Sequence, residues 1–377
     1  MSYPAPSPVF AILGGYGHTG RQIARLLLQE TNARLVLAGR HTDAGARLAD
    51  EFNRDFPGCR VAAAFADAAD ETSVEQGCRG AAMVIAASST ARYATNVAEV
   101  ALRLGIDYLD IHYSPAKVRR LMAMSERIER AGRCFITEAG FHPGLAAALS
   151  LCVAAGLDRV DEIGVAALIN QKGGIPVTES LYEFIEELKG YQALRYRDGG
   201  WRKASWFSTR DMPRVNFGDG FGRRYSFPMM LEEMREIPKR FPAIREAGFY
   251  VAGTNWFTDW VVSAVAIAAL WLAPTRAVKP VANLLAWGMR TFSGPPWGVL
   301  IKAWANGRQG GHEKQNDLLL FHEDGYAFTA IPIVACLLQY LDGTARKPGM
   351  WMMGHLVNPQ RLLADMHRMG IRVTAAS

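Results

Sequence analysis

The sequence predicts an α/β protein, a doubly wound parallel sheet followed by a second domain of mixed α+β type. Short, continuously apolar runs alternate with helical patterns through the first 150 residues, as strands buried on both faces alternate with crossover helices. A glycine-rich stretch separates the first such strand from the first helix. Beyond Val160 the pattern changes to half-buried alternation and hairpin signals.

Taken in order, the first strand is Val9-Phe10-Ala11-Ile12-Leu13, and it runs directly into Gly14-Gly15-Tyr16-Gly17-His18-Thr19-Gly20. Ile23, Leu26 and Leu27 then fall on one helical face. Gly15, Gly17 and Gly20 form a G-x-G-x-x-G between strand and helix, the setting in which these glycines give a tight turn, let the backbone approach a pyrophosphate and pack helix on strand. The helix N-terminus adds unpaired N–H groups for the phosphates. His18 reads as packing beside those phosphates rather than as a catalyst.

The second strand, Arg34 to Ala38, ends in Gly39-Arg40, and no Asp or Glu occupies positions 35–42. NAD-specific folds place an acid there for the ribose 2′-hydroxyl. A guanidinium at Arg40 would instead suit a 2′-phosphate, so NADP is expected over NAD; a solvated strand-end arginine is the alternative.

Arg60 to Ala66 reads as a third strand ending at Asp67, Ser73 to Arg79 as a helix, and Met83 to Ala87 as a fourth strand followed by Ser88-Ser89-Thr90. A helical pattern from Tyr93 to Leu104 stops at Gly105. Tyr108 to Ile111 is a fifth strand leading into His112-Tyr113, and Ser114 caps a helix with Pro115 at its first position and Gly132 after its end. Cys134 to Thr137 is a sixth strand, followed by Glu138-Ala139-Gly140-Phe141-His142-Pro143-Gly144. Doubly wound sheets bind ligands outside the carboxyl ends of their strands. This brings Asp67, Ser88, Ser89, His112, Tyr113, Glu138 and His142 towards the cofactor.

The second domain opens with an alternating strand from Val160 to Asn170 and a helix from Thr178 to Leu188. Arg195 to Trp206 reads as a hairpin about Asp198-Gly199-Gly200. Arg223-Arg224 reads as a solvated loop pair, with a carboxylate clamp as the alternative. Val261 to Ala273 holds thirteen apolar or small residues; a membrane span needs about 20, so a buried helix is expected. Six of the nine Trp residues nevertheless fall between Trp256 and Trp304. That enrichment suits an apolar pocket, a dimer surface or shallow peripheral membrane contact.

Composition narrows the class. The 377 residues suggest two domains, and half of them being apolar with 21% charged excludes disordered, collagenous and disulfide-scaffold readings. The formal charge of +6 is spread along the chain without a Lys/Arg stripe, so no nucleic-acid partner is expected. Five widely spaced cysteines without a C-x-x-C pair fit a reducing, cytoplasmic setting. The Met1–Pro8 stretch has neither the basic nor the apolar region of a signal peptide. His312, Glu313, His322 and Glu323 match no usual ligand spacing, and no metal is expected.

The motifs GGYGHTG, LVLAGR, AASS, GIDYLDIHYSP and ITEAGFHPGL resemble those of the saccharopine dehydrogenase-like oxidoreductases. Glu138, Gly140, Pro143 and Gly144 keep the family's E-x-G-x-D-P-G pattern, while His142 stands in place of its Asp. The stretch from His322 to Trp351, with Val357 to Ile371, is similar to the family's C-terminal segment. The resemblance is good over 9–150, fair over 312–372 and faint between. It implies an NAD(P)-binding Rossmann domain at 9–150, a substrate and dimerisation domain at 151–324, and a segment at 325–377 returning to the first domain.

Family members act on saccharopine, carboxy-polyamines or acyl chains. The expectation is an NADP-dependent enzyme, a homodimer, moving hydride to or from an opine- or polyamine-like imine or amine. An enoyl or acyl reductase and a catalytically silent NADP-binding regulator are the alternatives. His142 is the first candidate proton donor, because it follows strand six at an expected helix N-terminus that would lower its pKa. His112 and Tyr113 are the rivals, with Glu138 orienting the active imidazole.

Overall fold

The computed structural model describes residues 7–205, 211–218 and 220–376. Most of the Met1–Pro8 stretch, and Trp206 at the end of the predicted hairpin, lie outside the described residues. The chain divides into two compact units, residues 1–144 with 329–358 and residues 145–328 with 359–377.

The first unit is built on a parallel sheet. Its strands are β1 (Val9–Leu13), β2 (Arg34–Gly39), β3 (Val61–Phe65), β4 (Met83–Ala86), β5 (Asp107–Asp110) and β6 (Cys134–Thr137), with β15 (Gly349–Met352) from the C-terminal stretch. Their spatial order is β15-β6-β5-β4-β1-β2-β3. Every pairing is parallel, and the order reverses beside β1, where β2 lies on one side and β4 on the other. β1, β4, β5 and β6 are buried along nearly their whole length, which accounts for the apolar runs of β1 and β4, whereas β5 buries an aspartate at each end, Asp107 and Asp110. The predicted helix after Ser114 is interrupted: Ser114 accepts the Lys117 N–H at 3.3 Å and Pro115 starts the helix, but the chain turns at Ala123–Met124 before a second helix, Ser125–Arg130.

Asp107 ties in the returning stretch. It is buried, and accepts hydrogen bonds from the Cys134 N–H at 2.9 Å, from Tyr340 Oη at 2.6 Å and from Arg346 Nε at 3.2 Å. The C-terminal stretch does not travel as one piece from residue 325. Residues 329–358 group with the first unit, whereas 359–377 group with the second, where β16 (Arg372–Ala376) pairs antiparallel with β14 (His312–His322).

The second unit carries a mixed sheet with β7 (Arg159–Asn170), β8 (Leu194–Arg197), β9 (Gly200–Lys203), β10 (Arg214–Asn216), β11 (Arg223–Pro228), β12 (Glu246–Ala252) and β13 (Gly298–Gln309). The path is β10-β11-β12-β7-β13-β14-β16, with β8 and β9 branching from β12. One pairing, β12 with β7, is parallel, and the other described pairings are antiparallel. Beside it, Glu179–Leu188, Ser263–Leu272 and Val278–Phe292 form a helical cluster about Leu181, Ile185, Ala266, Val281 and Ala282.

The buried helix expected over 261–273 is not buried. Within Ser263–Leu272 the buried residue is Ala266 alone, because the small residues of the neighbouring helix meet one narrow edge of it. Arg223-Arg224 is not a solvated loop pair. Arg223 begins a strand, and Arg224 next to it donates to the carbonyls of Phe221 and Thr254, both at 3.0 Å, which makes it a staple of the backbone.

Candidate active site

The glycine loop follows β1 and opens a helix, His18–Glu30. Gly15 donates to the Ile12 carbonyl at 3.0 Å and Gly17 to the Gly14 carbonyl at 2.9 Å, which turns the chain tightly back on the strand. A Cβ on Gly20 would overlap the Gly14 carbonyl oxygen, so this helix approaches the strand only with glycine there. Gly17 is the N-cap, no side chain caps the helix, and no acid stands in its first turn. Gly17 and His18 are exposed. The first helical N–H groups and the positive dipole end therefore face outward, as an anion requires.

Tyr16 leans over the end of β2, its ring against Gly39 and its Oη accepting the His41 N–H at 2.8 Å. Arg40 lies just beyond, exposed and without an ion-pair or hydrogen-bond partner among the described residues. Asp67, past β3, turns its carboxylate onto the Ala69 N–H at 3.0 Å, while its own N–H donates to Ser73 Oγ at 2.9 Å. It thereby shapes the loop beside the candidate cofactor site.

The remaining candidates follow the carboxyl ends of β4, β5 and β6, and of these Ser88 and His112 are in direct contact. Ser88 Oγ lies 3.0 Å from Thr90 Oγ1, and Ser88 offers its carbonyl to His112 Nε2 at 2.5 Å. Ser89 and Tyr113 are half-buried nearby in sequence. His112 is buried, with its Nδ1 3.8 Å from Asp110 Oδ1. Burial lowers its pKa, a trend Asp110 opposes and Lys117 reinforces. His112 is therefore a neutral imidazole that donates through Nε2 and holds the β4 loop to the β5 loop.

Beneath it lies a network that sequence reasoning missed. Asp110 and Lys117 are wholly buried, with Nζ donating to Asp110 Oδ1 at 2.5 Å and to the His112 carbonyl at 2.7 Å. The other carboxylate oxygen accepts from Tyr108 Oη at 3.0 Å and Thr137 Oγ1 at 2.8 Å. Burial works against ionised Asp110, but the Lys117 cation and the hydrogen bonds from Lys117 and Thr137 outweigh it and hold the carboxyl below its ordinary value. The available signal was Lys117 itself: a cation in a helix's first turn opposes the macrodipole and needs a local anion.

The loop after β6 is folded on itself. Ala139 donates to the Asp110 carbonyl at 2.9 Å, and Glu138 is buried at φ +53°. Gly144 has φ +128°, and a Cβ there would sit 2.6 Å from the Gly140 nitrogen, so the loop closes only around glycine. The His142–Pro143 peptide is cis. The half-buried His142 ring lies against that of Phe141, tilted by 37° with centroids 4.5 Å apart, and desolvation pushes its pKa down to about 4. The helix that follows begins at Leu145, three residues on.

The β14 ends carry His312 and His322, with Glu313 and Glu323 beside them. Among the described residues no group of His, Cys, Asp and Glu is placed to hold a metal ion.

Residues 10–136 match the family model described as the saccharopine dehydrogenase NADP binding domain. The chain carries a saccharopine dehydrogenase NADP-binding domain. Its fold is also that of saccharopine dehydrogenase (L-Glu forming) from Saccharomyces cerevisiae, at a TM-score of 0.68 and 12% identity, over 98% of this chain and 100% of that one. A more distant likeness is to the C. glutamicum DAP dehydrogenase in complex with DAP, at a TM-score of 0.45 and 15% identity over 97% and 99% of the two chains. No curated protein sequence matches the chain significantly. The saccharopine dehydrogenase NADP-binding domain fits its cofactor class here: the loop at Gly14–Gly20 has no room for Cβ at Gly20, and Arg40 offers an open guanidinium.

Proposed function

We propose that this protein is an NADP-dependent oxidoreductase that moves hydride to or from an imine or amine of opine or polyamine type. The observation that carries the reading is Arg40, exposed and without a partner among the described residues at the end of β2, where no acid follows. When bound, NADPH supplies the hydride. Gly15, Tyr16, Gly17, His18, Thr19 and Gly20 would hold its pyrophosphate, Arg40 its 2′-phosphate, and Asp67, Ser88 and Ser89 the flanking loops.

His142 takes the proton-handling role in this reading. With its pKa near 4, it is neutral at pH 7 and offers a ring N–H to a substrate nitrogen or oxygen rather than a full positive charge. Tyr113 is the second donor at the same strand ends, and Glu138 the carboxylate that orients them. His112 acts on Ser88 and positions the loop. An acyl-type substrate is the second reading, favoured by the apolar helices of the second unit.

The test is cofactor titration followed by turnover. NADPH binds far more tightly than NADH, and Arg40→Ala lowers NADPH affinity by about 10- to 100-fold, the worth of a hydrogen-bonded charge, leaving NADH unchanged. Equal affinities for the two cofactors in the parent protein would remove the Arg40 assignment. NADPH oxidation is then followed with oxo-acid/amine pairs and with enoyl thioesters. Turnover of the latter alone favours the acyl reading, and tight binding without any turnover favours a silent regulator.

A further inference from the structure

We infer that the helices spanning 257–292 form a docking surface for an anionic lipid bilayer, seating the protein in the headgroup boundary without crossing it. The surface is apolar and open. Trp271 is 82% exposed, Leu272 74% and Trp256 71%, and Trp260, Val261, Val265, Ile267, Trp287 and Phe292 are exposed beside them. Ser263–Leu272 is apolar around its whole circumference yet buries one residue. A helix of that kind belongs in a protein core or against lipid, and a contiguous apolar patch of this type marks an interaction site.

The length limits the mode of contact. Ten residues extend about 15 Å, half a bilayer's apolar thickness, and among the described residues no helix is long and apolar enough to cross a membrane. The aromatic residues occupy both ends of the surface. Trp271 lies at the turn into the next helix, and Trp256, Phe257, Trp287 and Phe292 cluster at the other end, with the Phe257 and Phe292 centroids 4.4 Å apart. Indole rings favour the headgroup level, where one edge is apolar and the other wet.

Charge selects lipid over a second copy of the chain. On the two helices that carry the exposed apolar side chains and the turns beside them, residues 253–297, the one acid is Asp259, against Arg276, Lys279 and Arg290; the cluster's other acids, Glu179, Glu183, Glu186 and Glu187, stand on the third helix, Glu179–Leu188. Asp259 is recessed, accepting the Thr254 N–H at 3.1 Å. Arg276, Lys279 and Arg290 are exposed and make no ion pair among the described residues; Lys279 lies over the Tyr182 ring. Arg276 and Lys279 follow directly on the Trp271-Leu272 tip. A second copy would bring the same three cations and the same recessed acid to the contact, whereas an anionic leaflet meets them with opposite charge.

Flotation of the full chain with vesicles tests this. The protein floats with phosphatidylcholine vesicles containing phosphatidylserine, and less with phosphatidylcholine alone or at high salt. Trp271→Ser with Leu272→Ser lowers partitioning by at least about tenfold, since each side chain loses its burial in lipid. Arg276→Glu with Lys279→Glu abolishes the preference for phosphatidylserine. An unchanged melting temperature establishes that each variant is folded. The proposal is overturned by no flotation with phosphatidylserine vesicles, by undiminished flotation of the Trp271/Leu272 variant, or by a preference that survives charge reversal. It is also overturned by a solution dimer that the Trp271/Leu272 variant dissolves, which would make the surface a self-contact.

Discussion

The carboxyl edge of the parallel sheet and the helix pair at 257–292 depart from ordinary burial in opposite directions. At the first, an aspartate and a lysine lie wholly inside the protein; at the second, tryptophan and leucine side chains stand in solvent. The first departure is compensated within the chain, because both Asp110 oxygens receive donors from Lys117, Tyr108, Thr137 and the His112 backbone, and buried polar groups are tolerated when partnered. The second has no comparable compensation within its own helix, so its stabilising partner must be sought outside.

The largest expected effect follows from the first of these. Lys117→Met keeps the volume of the side chain but leaves Asp110 buried without its cation, and should cost about 3–5 kcal/mol in urea unfolding. Adding Asp110→Asn should recover part of that loss, since the uncompensated charge is then gone. A loss below about 1 kcal/mol for Lys117→Met would mean the edge tolerates an unpaired charge, and the contrast between the two regions would collapse.

A smaller effect concerns pH. The folded pKa of His142, near 4, lies below the ordinary imidazole value of 6.5, so the unfolded chain takes up the proton first. Stability is full above about pH 6.5 and falls as pH drops towards 4, by about 3 kcal/mol at most. His112 shifts in the same direction. Asp110, with its carboxyl pKa lowered, adds a loss in more acidic solution, below the ordinary carboxyl pKa of about 3.9. Melting curves of His142→Gln should be flatter than those of the parent over pH 4–6.5. Parallel curves would mean that the half-buried His142 ring is hydrated in the folded state almost as in the unfolded chain.

Much of the first unit was legible because local signals and burial agree there. Continuous apolar runs gave β1, β4 and β6 within a residue or so, and Gly105, at φ +64°, marked a helix end that only the left-handed region satisfies. The crowding at Gly20 was implied by its place in the motif. Asp110 and Lys117 were not legible as a pair, since six residues of loop and capped helix separate them and their meeting is a tertiary fact. Helix 263–272 was misread for a different reason. Apolar composition states that a segment avoids water, but whether protein or something else covers it depends on the neighbours, and here they bury Ala266 and cover Ala269 and Leu270 in part.

The smallest expected effect sharpens the comparison most directly. Trp271 is among the largest side chains in the protein, yet at 82% exposure it is hydrated almost as fully when folded as when unfolded. Trp271→Ser should therefore shift the unfolding free energy by no more than about 0.5 kcal/mol, the ordinary range for a surface site, although it removes more apolar area than Lys117→Met. A loss above about 2 kcal/mol, the scale of a buried apolar side chain, would show that Trp271 is packed against the protein and that the helix pair is part of the core. If stability holds while vesicle flotation fails in the same variant, the side chain serves an external contact rather than the fold.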